Sequence, residues 1–176
     1  ETLQNLPEVD IVCRKAGEVI IKKICDSVYN DSSYHDILGI TYRKGDEIVE
    51  NPAAPNDKDI DKFRAFDAKE YAIINKGRSF HSKVDKTNKY INVMAIRGCP
   101  FECTFCSLTA ERVAYRKIDS VLDEIEEKVS LTGIRTVRFT DSSFTINKRY
   151  LTAMCEGIIK RRLKIKWACY SRVDMD

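Results

Sequence analysis

The sequence predicts an α/β protein, and three observations carry that prediction. From residue 89 onward, β-prone runs alternate with amphipathic helical stretches in the order β-α-β-α-β, as a parallel sheet with crossover helices requires. Before that, a strand-like run is followed by a helical stripe and then a hairpin pattern. Between the two regions, Arg97-Gly98-Cys99-Pro100-Phe101-Glu102-Cys103-Thr104-Phe105-Cys106-Ser107 sets three cysteines at C-x3-C-x2-C, directly after the run Tyr90 to Ile96. A loop at that end of a parallel strand is where catalytic groups belong.

Taken in order, Val9 to Cys13 reads as a short buried strand. Ala16-Gly17-Glu18 follows, then apolar residues at Ile20, Ile21, Ile24, Cys25 and Val28, the stripe of a helix laid on a sheet. Glu18 falls in the first turn, where an acidic side chain is favourable. Cys13 and Cys25 are expected in the core, as free cysteines usually are. Ile37 to Tyr42 and Glu47 to Glu50 predict a hairpin across Arg43-Lys44-Gly45-Asp46. Asn51 to Lys58, rich in Pro and Asn, reads as linker, and the polar stretch 59–72 has room for one short helix.

Tyr90 to Ile96 is the first strand of the parallel set. Ile118, Val121, Leu122, Ile125 and Val129 mark a helix, with Ser120-x-x-Asp123 as a candidate capping box and Gly133 as its C-cap. Thr136 to Thr140 is the second strand, and Lys148 to Arg162 the second helix, with Cys155 on its packed side. Ile165 to Tyr170 is the third strand; Trp167 and Tyr170 are expected to pack, and Cys169 shares a face with Trp167. The resulting boundaries are 1–50 for a first domain, 51–88 for a linker and 89–176 for a second domain.

The 176 residues are 43% hydrophobic and 32% charged, the composition of an ordinary soluble domain. No run approaches the roughly 18 apolar residues of a membrane span, and no signal-peptide pattern opens the sequence. A net charge of +3, with basic and acidic residues interleaved, leaves no electrostatic footprint for nucleic acid. The expectation is a cytoplasmic protein with neither nucleic-acid nor membrane partners.

The cysteine motif has a specific chemistry. A four-iron cluster held wholly by protein needs four thiolates, so three leave one iron open to a further ligand. An open position is what a catalytic metal site keeps. Zinc completed by His81 or another cysteine is an alternative, although structural zinc sites usually show paired knuckles. Disulfides fit poorly, because the seven cysteines are an odd number and three of them crowd together. A fourth thiolate from Cys169 or Cys155 would instead make an iron–sulfur electron-carrier module.

With Phe105 directly before the third cysteine and a strand directly before the first, the motif resembles that of the radical S-adenosylmethionine (SAM) superfamily. The resemblance implies that Cys99, Cys103 and Cys106 hold a [4Fe-4S] cluster and that Phe105 packs near the adenine of SAM. It implies reductive cleavage of SAM to a 5′-deoxyadenosyl radical, a reductant such as flavodoxin or ferredoxin, and a small-molecule or peptide substrate. The family's usual Gly-Gly-Glu after the second strand is replaced here by Thr140-Asp141-Ser142-Ser143-Phe144, similar to an Asp-x-x-Phe variant. Asp141 and Ser142 would then meet the SAM ammonium, and Arg172, past the third strand, its carboxylate. A strand-end turn explains Asp141 and Ser142 equally well, and a solvated surface explains Arg172. Arg97 and Glu102 flank the cysteines, and His35 carries no assigned role.

The order of Asp10-Ile11-Val12-Cys13-Arg14, Gly17-Glu18, Ile37-Leu38-Gly39-Ile40-Thr41-Tyr42-Arg43 and Asn51-Pro52 is similar to the junction in cobalamin-dependent radical SAM enzymes. This implies the end of a Rossmann-like cobalamin-binding-type domain, followed by the first half of a partial TIM-type (β/α)6 radical SAM barrel. The chain then reads as a fragment, with cobalamin as a further cofactor and methyl transfer or ring rearrangement as the reaction. A radical SAM enzyme without cobalamin, including a methylthiotransferase, remains the alternative within the class.

Overall fold

The computed structural model describes residues 1–14, 16–55, 59–62, 90–107 and 112–174. His81 and most of the segment 51–88 lie outside the described residues. The chain divides into two units, Glu1–Asp57 and Lys58–Asp176.

The first unit holds α1 (Thr2–Asn5), β1 (Ile11–Cys13), α2 (Glu18–Tyr29), β2 (Ile40–Lys44) and β3 (Glu47–Glu50). Its sheet runs β1-β2-β3 and both pairings are antiparallel, so the chain returning from α2 reverses direction beside β1. The hairpin forms where the turn signal places it, with Gly45 at φ +58°, a conformation glycine adopts without steric cost. Gly39 is needed for a second reason: a Cβ there would stand 2.8 Å from both Ala54 Cβ and Ile20 Cδ1.

Only Ile20 and Ile24 of α2 are buried, against Ile40 and Tyr42. Ile21, Cys25, Val28 and Tyr29 are exposed, so the expectation of a core Cys25 is corrected. The sheet of this unit covers only the Ile20 and Ile24 side of the stripe. Cys13 is half-buried, and burial pushes its thiol pKa up.

The second unit begins with a 3-10 turn (Ile60–Lys62) and continues with β4 (Ile91–Val93), β5 (Ile96–Arg97), β6 (Ala114–Tyr115), α3 (Ile118–Thr132), β7 (Thr136–Phe139), α4 (Lys148–Lys160) and β8 (Lys166–Ala168). β4, β7 and β8 form a parallel sheet in that order, in register Val93 to Phe139 and Arg138 to Ala168. α3 and α4 bury Val121, Leu122, Ile125, Met154 and Ile158 in one core with Ile91, Val93, Val137 and Phe139. Gly157 lets the helices approach closely, since a Cβ there would meet Leu122 Cδ1 at 2.5 Å. Gly133 ends α3 at φ +69°, as its C-cap position predicts. Asn147 caps α4, accepting the Tyr150 N–H at 3.1 Å.

Three details differ from the sequence reading. The run 90–96 is broken at Met94-Ala95: β4 stays in the parallel sheet, while β5 leaves it to pair antiparallel with β6. The proposed capping box is absent, because Lys117 is the N-cap of α3 and Ser120 lies inside the helix. Asp61, fifty-six residues away in sequence, accepts the Lys117 N–H instead. Finally β8 stops at Ala168, which leaves Tyr170 57% exposed rather than packed.

Candidate active site at the cysteine loop

Three stretches meet at the C-terminal edge of the parallel sheet: the loop leaving β5, the turn after β7, and the segment after β8. Each begins where a strand runs out; the second and third follow strands of the parallel sheet, and the first leaves β5 just past that sheet's edge strand β4.

Cys99, Cys103 and Cys106 are all half-buried on the first of these. Gly98, at φ +87°, turns the chain out of β5, and the Cys106 N–H donates to the Cys103 carbonyl at 3.0 Å, closing a tight turn across the last two cysteines. Phe105, inside that turn, is 92% exposed and presents its ring to the outside. Among the described residues, no three His, Cys, Asp or Glu side chains converge as a metal-ligating group. The donor set nonetheless fits an iron–sulfur cluster: three soft thiols on a short, glycine-hinged loop with a guanidinium beside one of them.

The guanidinium belongs to Arg172. Its Nη1 lies 3.7 Å from Cys103 Sγ, and its carbon stands 4.0 Å over the Phe101 ring. Its Nε and Nη2 grip the Asp174 carboxylate at 2.8 and 2.6 Å. Hydrogen bonding to Asp174 raises the Arg172 pKa and lowers that of Asp174. The structure thus brings Arg172 to the cysteine loop across sixty-nine residues of sequence.

Asp141 is buried, 2% exposed, and faces the start of the loop rather than solvent. Its Oδ1 accepts the N–H groups of Ala95 at 2.8 Å and of Ile96. These are the two amides freed where β4 breaks and β5 begins, so Asp141 fixes the strand that launches the cysteines. Oδ2 is buried without a partner among the described residues, as is the Ser143 hydroxyl. Burial pushes the Asp141 carboxyl up, against the pull of the Ile96 and Ala95 N–H groups. Ser142, next to it, is exposed.

Beneath the loop's base lies a closed ionic network. Arg116 binds Asp61 at 3.0 Å, Glu124 at 2.5 Å and the Met94 carbonyl at 3.0 Å, and Lys128 binds the other oxygen of Glu124 at 2.5 Å. The Tyr150 hydroxyl donates to the Arg116 carbonyl at 2.9 Å, and burial with the nearby Asp141 charge raises its pKa. Trp167 packs edge-on to Phe139, with centroids 5.8 Å apart, and Cys169 packs on the same core.

No protein-family model matches the chain. Over 98% of its length it is 31% identical to the anaerobic magnesium-protoporphyrin IX monomethyl ester cyclase of Cereibacter sphaeroides, and it spans 28% of that relative. Its fold is similar to that of OxsB, a cobalamin-dependent S-adenosylmethionine radical enzyme, with a TM-score of 0.73 at 17% identity, covering 99% of this chain and 24% of the other. The radical SAM methyltransferase TsrM of Kitasatospora setae, solved with cobalamin and a [4Fe-4S] cluster bound, gives a TM-score of 0.63 at 17% identity over 92% of this chain and 32% of the other. By fold, the chain is similar to cobalamin-dependent S-adenosylmethionine radical enzymes.

The relatives and structural neighbours include cyclases and methyltransferases, and the neighbours hold cobalamin, a [4Fe-4S] cluster and SAM. Sequence reasoning missed Phe101, Asp174, Asp61 and Arg116. Phe101 sits inside the motif and Asp174 two residues past Arg172, but only the fold brings both to the same guanidinium. Asp61 gave no signal, because nothing local distinguishes it from other acidic residues in a polar stretch.

Proposed function

We propose that this chain carries the cluster loop and first βα units of a cobalamin-dependent radical SAM enzyme, joined to the end of its cobalamin-binding-type domain. The carrying observation is the C-x3-C-x2-C loop at the C-terminal edge of a parallel sheet, in a chain 31% identical over 98% of its length to an anaerobic magnesium-protoporphyrin IX monomethyl ester cyclase and similar in fold to a cobalamin-dependent S-adenosylmethionine radical enzyme. In this reading the domains run over 1–50 and 89–176, with the second unit forming the first half of a partial (β/α)6 barrel.

Cys99, Cys103 and Cys106 would hold a [4Fe-4S] cluster through three irons. Bound there, the cluster would supply one electron for reductive cleavage of SAM. The chain's own residues do the positioning. Asp141 anchors the strand ahead of the loop, and the Arg116 network supports the point where β4 and β5 part. Phe105 offers an exposed ring for the adenine to stack against. Ser142, exposed beside Asp141, supplies a hydroxyl for the SAM ammonium, with Asp141 as the carboxylate behind it. A flavodoxin- or ferredoxin-type reductant would deliver the electron, and methyl transfer or ring rearrangement of a small molecule would consume the radical.

The test is anaerobic reconstitution of the full-length protein with iron and sulfide, followed by electron paramagnetic resonance of the reduced form with and without SAM. A four-iron signal that changes on adding SAM, and is lost in Cys103→Ala, is the expected result. A cluster indifferent to SAM would make the protein an electron carrier, and tightly bound zinc without colour would make it an interaction domain.

A further inference from the structure

We propose that Arg172 acts on the cluster itself, as an N–H donor to the Cys103 sulfur that raises the cluster's reduction potential, with Asp174 and Phe101 fixing the guanidinium for that purpose. The inference rests on the reading that Cys103 is a cluster ligand. It gives Arg172 a different target from the SAM carboxylate that the family resemblance implies.

The geometry carries the argument. A guanidinium clamps a carboxylate best through two parallel N–H groups. In this structure one such edge, Nε with Nη2, is occupied by Asp174 at 2.8 and 2.6 Å. Nη1 is directed at Cys103 Sγ, 3.7 Å away, a distance suited to the larger sulfur atom. The Phe101 ring, 4.0 Å below the guanidinium carbon, sets its plane, while Asp174 sets its rotation within that plane. Both Phe101 and Cys103 belong to the cysteine loop, so the guanidinium is held against the loop at two points rather than reaching past it.

A hydrogen bond to a cluster sulfur stabilises the reduced form more than the oxidised one, because the added electron increases negative charge on the sulfurs. Removing the donor makes the cluster harder to reduce. Asp174 sharpens the assignment, since its negative charge largely cancels that of Arg172. What the pair adds at Cys103 is then a directed donor more than a net field. The functional consequence is a cluster reducible by a milder donor than it would otherwise need.

The experiment is a redox titration monitored by electron paramagnetic resonance on full-length protein reconstituted anaerobically, comparing wild type with Arg172→Gln and Arg172→Lys, and with SAM affinity measured in parallel. A lower midpoint potential in Arg172→Gln at unchanged iron and sulfide content is expected. A smaller fall is expected in Arg172→Lys, which keeps the charge and loses the planar fork. A loaded Arg172→Gln protein with the wild-type midpoint overturns the proposal, and if it has also lost SAM affinity, Arg172 belongs to the SAM carboxylate. Should Arg172→Gln fail to hold iron, Arg172→Lys decides: a lowered midpoint supports the assignment and an unchanged one overturns it. Absence of any four-iron signal in the wild type instead overturns the cluster assignment, and this proposal with it.

Discussion

Arg116 and Arg172 are the same side chain in two settings, one below the cysteine loop and one against it. The Arg116 side chain is 10% exposed and enclosed by two carboxylates and a carbonyl. The Arg172 side chain is 37% exposed, held by one carboxylate and one ring, with an N–H turned to a thiol. Every partner of the first comes from the polypeptide, so folding alone completes that site. The second is built toward a sulfur that is itself a candidate ligand. The base under the loop is therefore where stability resides, and the loop is where chemistry is exposed. Substitutions in the two regions should separate cleanly into effects on unfolding and effects on cofactors.

The largest expected loss of stability is at the base. Arg116→Ala leaves Asp61 and Glu124 facing a buried gap, and breaking such a pair costs about 3–5 kcal/mol. The retained Lys128 to Glu124 contact places the expected value near the low end of that range, to be read from urea unfolding. Asp141→Ala should follow at about 2–4 kcal/mol, because two buried N–H groups lose their acceptor. Asp141→Asn keeps an acceptor oxygen and should recover most of that loss. If Asp141→Asn is no better than Asp141→Ala, the bonds to Ala95 and Ile96 do not govern the effect.

The same pair of proteins gives a pH signature. Burial holds the native Asp141 carboxyl above its ordinary value of 3.8. Its contribution is fully present below that value and is lost as pH rises through the raised native pKa. The stability of wild type relative to Asp141→Asn should therefore fall with rising pH across that window. A difference that rises instead would mean the carboxylate, not the acid, is the form the fold favours.

Gly157→Ala tests how tightly the base is packed. A Cβ at 2.5 Å from Leu122 Cδ1, a side chain with no exposed surface, must displace it. Alanine gains roughly 1 kcal/mol in helix propensity, against overpacking costs of about 1–3 kcal/mol. A net destabilisation of about 1 kcal/mol in thermal unfolding is expected. The smallest effect on folding belongs to the loop: Phe105→Ala, at a 92% exposed position, should change stability by less than about 0.5 kcal/mol. If its ring stacks on adenine, SAM affinity should fall by about 1–3 kcal/mol in the same variant. A stability loss without an affinity loss would make Phe105 a packing residue and blur the contrast between base and loop.

The resemblance to solved enzymes covers the fold, and the residues that matter most were legible to different degrees. The cysteine loop could be read at once, because three thiols spaced over eight residues have few uses. Arg172 was visible as a rim residue, while its engagement with Asp174 and Cys103 was not. Asp141 was visible as a polar residue after a strand, but its burial and its grip on Ala95 and Ile96 were not.

The sequence by itself determined the elements whose causes are local. Apolar spacing placed α3 and α4, Gly133 and Gly45 placed a helix end and a hairpin turn, and β-prone runs placed β7 and β8 within a residue or two. Tertiary structure decided everything that depends on a distant partner. It left Cys25 on the side of α2 away from the sheet, which packs against Ile20 and Ile24. It broke the run 90–96, where Asp141 accepts the two amides that a continuous strand would have given to a neighbour. It replaced a local capping box with Asp61, and turned Arg172 toward Cys103. Periodicity reports which face of an element is apolar. Which buried donor meets which acceptor is set by how strands and helices pack, and that information is not local to any stretch of the chain.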